Sequence, residues 1–153
     1  MKITMTLDPS SITKAIREVK KYKKDFERKV EKLIKLLVDK GVEIARELVP
    51  VDFGDLRESI QGRVEDGKGL IYTDCPYAIY VEFGFGVVGG RDPHPKISVQ
   101  YDVNHHGEKG WFYFDKKRGV WRWSKGQPSK PFMFHTAQRL EEYVPEAVKE
   151  VFG

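Results

Sequence analysis

DPSSITKAIREVKKYKKDFERKVEKLIKLLVDKGVEIARELVP, residues 8–50, is the stretch from which the fold is read. Asp8 supplies an acceptor side chain at a helix N-cap, and Pro9 has a preset φ suited to the first helical position. Apolar residues follow at Ile12, Ile16, Val19, Tyr22, Phe26, Val30, Leu33, Leu37, Ile44 and Leu48. Their spacing, mostly three and four, keeps them on one stripe of an α-helix. The pattern predicts a helix over about 9–48, stopped by Pro50 and about 60 Å long at 1.5 Å per residue. That is longer than a compact domain of 153 residues needs. Either the helix bends near Gly41, where glycine costs about 1 kcal/mol relative to alanine, or it projects and packs on a neighbouring subunit. Its length favours projection. Asp25 with Lys29 and Glu31 with Lys35 are spaced to support the exposed face.

Beyond Pro50 the period changes. Arg57 to Glu65 and Leu70 to Asp74 read as strands joined by the turn Asp66-Gly67-Lys68-Gly69. Tyr77 to Phe83 reads as a helical turn or a strand. Gly84 to Pro95, with its glycines and prolines, reads as loop. Val99 to Val103, Gly110 to Asp115 and Gly119 to Trp123 read as three more strands, the last two forming a hairpin. A closing amphipathic helix over about 131–151 carries Met133, Ala137, Leu140, Val144, Val148 and Val151 in register. Pro145 predicts a kink or restart within it. The expected fold is α+β: a long N-terminal helix, a small, mostly antiparallel sheet of about five strands over 57–124, and a C-terminal helix packed on it. No linker or repeat divides 1–153, so a single domain is expected.

The charge is unevenly placed. Residues 1–49 hold 13 Lys and Arg against 8 Asp and Glu, whereas the remainder holds 14 against 15. The basic excess therefore belongs to the first helix, around Lys20, Lys21, Lys23, Lys24, Arg28, Lys29 and Lys32. Such a stripe could attract phosphate or an acidic protein surface. A solvated Lys/Glu-rich face explains it more simply. No apolar run is long enough to span a membrane, and Met1 to Leu7 lacks a signal-peptide layout. The single Cys75 cannot form an intrachain disulfide and suits a reducing compartment, so assembly in a cytoplasm is expected.

Three constellations resemble chemistry. Gly84-Phe85-Gly86-Val87-Val88-Gly89 matches G-x-G-x-x-G, but a dinucleotide fingerprint must end a strand and open a helix. Here it runs into Gly90-Arg91-Asp92-Pro93-His94-Pro95, which favours a flexible loop. His94, His105, His106, His135 and Cys75 lack the short-range pairing of metal ligands, and nothing flanking Cys75 would activate it as a nucleophile. No cofactor, metal or catalytic set is expected. Trp111, Phe112, Tyr113, Phe114, Trp121 and Trp123 lie near Lys116, Lys117, Arg118, Arg122 and Lys125. That mixture fits hairpin packing, a protein interface, or stacking of single-stranded nucleic acid.

Three segments carry a family resemblance. They are Val49-Pro50-Val51-Asp52-Phe53-Gly54-Asp55-Leu56-Arg57-Glu58-Ser59-Ile60, then Pro76-Tyr77-Ala78-Ile79-Tyr80-Val81-Glu82-Phe83-Gly84, then Gly126-Gln127-Pro128-Ser129-Lys130-Pro131-Phe132-Met133. In order and spacing the chain resembles the tail-component or neck protein family of long-tailed siphophages. The departures are Phe53 and Phe85, each standing where the family usually has threonine. The resemblance implies a non-enzymatic virion protein of the phage or prophage head–tail connector, assembled as a ring. Within the family the role is annotated variously as neck, tail completion or minor capsid. The implied partners are copies of itself, portal-side connector proteins and tail proteins, with at most weak, non-specific DNA contact and no membrane.

The motif residues Pro50, Gly54, Leu56, Arg57, Ser59, Ile60, Tyr77, Ala78, Tyr80, Glu82, Gly84, Pro131, Phe132 and Met133 read as fold-specifying. Gly54 is expected at a positive-φ turn. Arg57 and Glu82 are expected to be buried charges satisfied by each other or by backbone. Lys20, Lys24, Arg28, Trp111, Trp121 and Trp123 are the candidate interface residues. The rival reading is a nucleic-acid-binding accessory protein that uses the basic helix and the Trp-rich hairpin.

Overall fold

A computed structural model describes residues 8–50, 52–92, 94–96, 109–115 and 118–153. The first helix, α1, runs unbroken from Pro9 to Leu48. Asp8 caps it as the sequence predicts, its carboxylate accepting the Ser10 and Ser11 amides at 3.0 and 2.9 Å. The helix does not stop at Gly41. That glycine is buried, and a β-carbon there would strike the tip of Ile71, so the missing side chain serves close packing. Asp25 pairs with Arg28 rather than with Lys29, whose ammonium lies over the Phe152 ring.

After α1 come α2 (Gly54–Ser59), β1 (Gln61–Glu65), β2 (Lys68–Tyr72), α3 (Ala78–Phe83), α4 (Gly86–Arg91), β3 (Trp111–Asp115), β4 (Val120–Ser124) and α5 (Phe132–Phe152). The α+β class holds, whereas a single five-stranded sheet is not seen among the described residues. Among the described residues the strands form two separate antiparallel ribbons, β1–β2 and β3–β4. The expected strand Val99–Val103 lies outside the described residues, as do His105 and His106.

The expected strand from Arg57 begins instead at Gln61, because Gly54–Ser59 winds into α2. The β1–β2 turn is tighter than expected. Only Asp66 and Gly67 lie between the strands, both at positive φ (49° and 70°), the two-residue geometry that matches strand twist. Isolated ribbons are marginal in water, and β1–β2 leans on α1. Gly62 and Gly69 sit so close to Val38 that any side chain there would collide with it.

The region expected to be a loop from Gly84 to Pro95 contains α4, a correction with a clear cause. Phe85 and Gln127 exchange backbone hydrogen bonds (3.0 and 3.1 Å), Val88 N–H donates to Lys125 O, and Ser129 N–H donates to Asp92 O. A neighbouring strand of chain thus orders a glycine-rich segment that could not order itself.

The closing helix α5 runs antiparallel along α1. Arg139 meets Glu47, Lys40 lies over the Tyr143 ring, and Phe152 packs on Phe26. It passes through Pro145 as one continuous helix. The core gathers where α1 ends: Ala45, Val49, Leu56, Ile60, Val81 and Phe132 are buried together.

Two glycines make a matched test. Gly84 has φ of 70°, and a β-carbon on it would lie 2.6 Å from Ser129 N and 2.9 Å from Gln127 O. Gly54, contrary to expectation, is not at positive φ, and a β-carbon there would meet nothing within 4 Å. Gly84→Ala is expected to cost about 2 kcal/mol or more. Gly54→Ala is expected to be neutral or slightly stabilising. Urea melts of the two variants check both; equal midpoints would contradict the assignment.

Candidate assembly interface

The three motif segments converge at the base of α1. Pro50 follows the helix end, and Arg57 Nη2 donates to Val49 O at 3.0 Å. Its Nε is buried with no acceptor among the described residues. Arg46 Nη2 reaches across to Ile60 O at 2.8 Å. Ser59 Oγ donates to Leu56 O and shares a hydrogen bond with Thr73 Oγ1. Tyr77 closes the first turn of α2, its hydroxyl accepting Leu56 N–H at 3.1 Å while its ring packs on Phe53. Burial, then hydrogen bonding to Cys75, raises the Tyr77 phenol above its ordinary pKa of 10.0.

Glu82 joins the second motif to the third. Its carboxylate is buried, with one oxygen accepting Met133 N–H at 2.9 Å and the other Phe134 N–H at 3.0 Å. These are orphan donors of the first turn of α5, where the helix dipole also favours negative charge. Glu82 is therefore satisfied by backbone, while Arg57 is held by backbone through Nη2 with its Nε left without an acceptor among the described residues, and the two charges do not pair with each other. Around this cap, Lys130 N–H donates to Val81 O, Gln127 Nε2 to Tyr80 O, and Ser129 Oγ to Glu82 O. Pro131 stands at the N-cap position, Phe132 is buried, and Ala78 and Met133 pack against the core.

The interior also recruits residues that sequence reasoning missed. His94 is buried between the rings of Phe83 and Phe134, with Nε2 3.4 Å from a Glu82 oxygen. An acid inside an apolar run, at Glu82, was the one signal in the sequence that a cap or partner was needed.

The predicted interface residues lie elsewhere. Phe152 ends α5 beside Phe26 and Lys29, so Pro9 to Asp25 continue past it as about 25 Å of helix. Ile12, Ile16, Val19, Tyr22 and Phe26 are 39–53% exposed there, an apolar stripe with Lys20 and Lys24 beside it. On the ribbon, Phe112 meets Trp123 and Phe114 meets Trp121 edge to face, yet all four rings stay 47–69% exposed. Trp111 turns to the other side and packs on Phe85. The ring pairs are the packing a two-stranded ribbon needs.

G-x-G-x-x-G does open a helix, at Gly86, but follows α3 rather than a strand, so the dinucleotide geometry is not met. No group of metal ligands gathers among the described residues, and no described helix is long and apolar enough to cross a membrane.

Residues 13–84 match the family model described as "Bacteriophage HK97-gp10, putative tail-component". The resemblance to a phage tail-component family is thereby shown. The HK97-gp10-like span runs from the first turns of α1 to Gly84, so it holds two of the three motifs. The third motif lies beyond it and is tied to it through Tyr80, Val81 and Glu82. No curated protein and no solved structure matches the chain.

Two variants test this junction. Glu82→Gln puts an amide NH₂ against one α5 N–H and removes the charge at the dipole, so a loss of about 1–3 kcal/mol is expected in urea melts. Tyr77→Phe deletes the acceptor for Leu56 N–H and should cost about 1–2 kcal/mol at neutral pH. Because the folded phenol titrates above the unfolded one, its contribution is complete below about pH 10 and is lost as pH rises through the folded value. The stability gap between wild type and Tyr77→Phe should therefore narrow only as pH rises above about 10, the ordinary tyrosine value. A gap that widens would contradict the assignment.

Proposed function

We propose that this chain is a structural virion protein of the head–tail junction of a phage or prophage. In this reading it works as a neck or tail-completion subunit, assembles into a closed ring, and performs no catalysis. The tail-component match over residues 13–84 carries the reading. The exposed stripe on the projecting half of α1 supports it, because apolar surface of this kind marks an interaction site. The proposed partners are copies of the same chain, portal-side connector proteins and tail proteins, with at most weak contact to the DNA that passes through. Assembly takes place in the host cytoplasm and the product resides in the virion. Motif residues such as Arg57, Glu82 and Phe132 have the role of fixing the subunit's shape. Lys20, Lys24, Arg28, Trp111, Trp121 and Trp123 face neighbours.

A phage or inducible prophage lacking the gene should accumulate DNA-filled heads and separate tails, or tails of faulty length, with capsid and tail proteins made normally. Electron microscopy of the lysate checks this. Intact infectious particles in normal yield would mean that the junction role is wrong.

A further inference from the structure

The apolar line of α1 is longer than the surface that covers it. At heptad-like spacing it reads Ile12, Ile16, Val19, Lys23 and Phe26 in the projecting half. One charged residue, Lys23, interrupts it. Across Pro9 to Phe26 the basic residues Lys14, Arg17, Lys20, Lys21, Lys23 and Lys24 outnumber Glu18 and Asp25. Two such halves laid on each other would set positive charge against positive charge, so symmetric self-pairing is disfavoured.

A complementary line lies on α5. Its inner stripe, including Phe132, Thr136, Ala147 and Val151, is buried. Beside that stripe run Ala137, Glu141, Val144 and Val148, spaced four, three and four, all exposed. Val144 and Val148 are 36% and 39% exposed. This line too is interrupted by one charge, of opposite sign. Glu141, Glu142, Glu146 and Glu150 outnumber Arg139 and Lys149 on the helix. None of the four acids has an ion-pair partner among the described residues.

We propose that the projecting half of α1 in one copy packs antiparallel on this outer line of α5 in the next copy, with Lys23 opposite Glu141. Antiparallel, that pairing brings Val19 to Val144, Ile16 to Val148 and Phe26 to the small Ala137. Run parallel with Val19 still at Val144, the helices would set Lys23 against Val148 and Glu141 against Ile16, pressing each charge onto an apolar side chain. The lengths agree: about 25 Å of projecting helix against about 30 Å of α5. The two patches differ, so the contact is head-to-tail and propagates from copy to copy until a ring closes. One helix flank is smaller than the ~800 Å² per partner of a stable standard interface. The single contact is therefore weak, and closure secures it.

This inference rests on the ring reading above, and its test is independent of particle morphology. In full-length protein carrying Cys75→Ser, chains with Val19→Cys and chains with Val144→Cys are mixed and oxidised. The mixture should give a cross-linked dimer that neither chain forms alone, and a chain with both changes should give a ladder. Lys23→Glu should lower the cross-link yield about tenfold, and Glu141→Lys in the partner should restore it. Both charges are exposed, so thermal melts should confirm that the reversals leave the subunit folded. Cross-linking of Val19→Cys to itself, a charge reversal without effect or without rescue, or no cross-link at high concentration would each overturn the contact. If the contact fails while the gene deletion still separates heads from tails, the junction role survives. If the contact holds while the deletion is harmless, the junction role falls.

Discussion

The buried carboxylate of Glu82 is the constraint on which the architecture depends. A helix that begins in the interior leaves amide donors that water cannot reach, and each would cost as much as a lost hydrogen bond. Glu82 accepts two of them from α5 with its two oxygens. The negative charge is tolerated because the helix dipole, two N–H donors and the nearby His94 ring compensate its burial. Since Glu82 belongs to α3, the start of α5 is pinned to the segment that follows the first ribbon. From that point α5 has one direction to run, back along α1 over Phe132, Thr136, Ala147 and Val151. The site of the core follows from the cap.

What α5 covers also defines what it leaves open. Its last ring, Phe152, reaches Phe26 and no further. An amphipathic helix gains most of its stability by burying its apolar face, and the first turns of α1 lack that burial within the described residues. Helix propensity and the Asp8 cap hold them, together with local ion pairs such as Lys23–Glu27 worth a few tenths of a kcal/mol each. The half of the helix with the least intrachain support is therefore the half with the most apolar surface to offer.

Elements set by local chemistry were legible in the sequence. The Asp8-Pro9 start, the 3.6-residue stripe and Pro50 defined α1 to its ends, and the β3–β4 ribbon followed from alternation around a turn. Pairing between distant segments was not legible. Strand-like runs separated by turn signals cannot say whether two ribbons join, and among the described residues they stay apart. Arg57 to Glu65 looked continuous because Leu56 and Ile60 fit either period; Tyr77, twenty-one residues on from Leu56, helps to hold the intervening turn as α2. The Gly86–Arg91 helix was hidden for the same reason, since its order comes from Lys125 and Gln127. Gly54 was misjudged because a glycine after a helix stop looks like a positive-φ turn, whereas it sits at the start of α2.

The motif residues share one property that bears on function. Arg57, Tyr77, Glu82, Gln127 and Ser129, together with Arg46 just ahead of the first motif, direct polar atoms at main-chain groups elsewhere in the chain. Such bonds fix the relative positions of a helix end, a short turn and a helix start, and they leave few polar atoms of these side chains for a ligand. A buried network is rigid when its members are satisfied, and rigidity is what a subunit needs to present the same contact surfaces in every copy of an assembly. The exposed apolar surface accordingly lies outside the junction, on the projecting half of α1 and the aromatic face of β3–β4. There exposed rings and aliphatic side chains stand among mostly basic neighbours, and covering them breaks none of the junction's hydrogen bonds. The division is physical: polar groups inside hold the shape, and apolar groups outside remain to be covered.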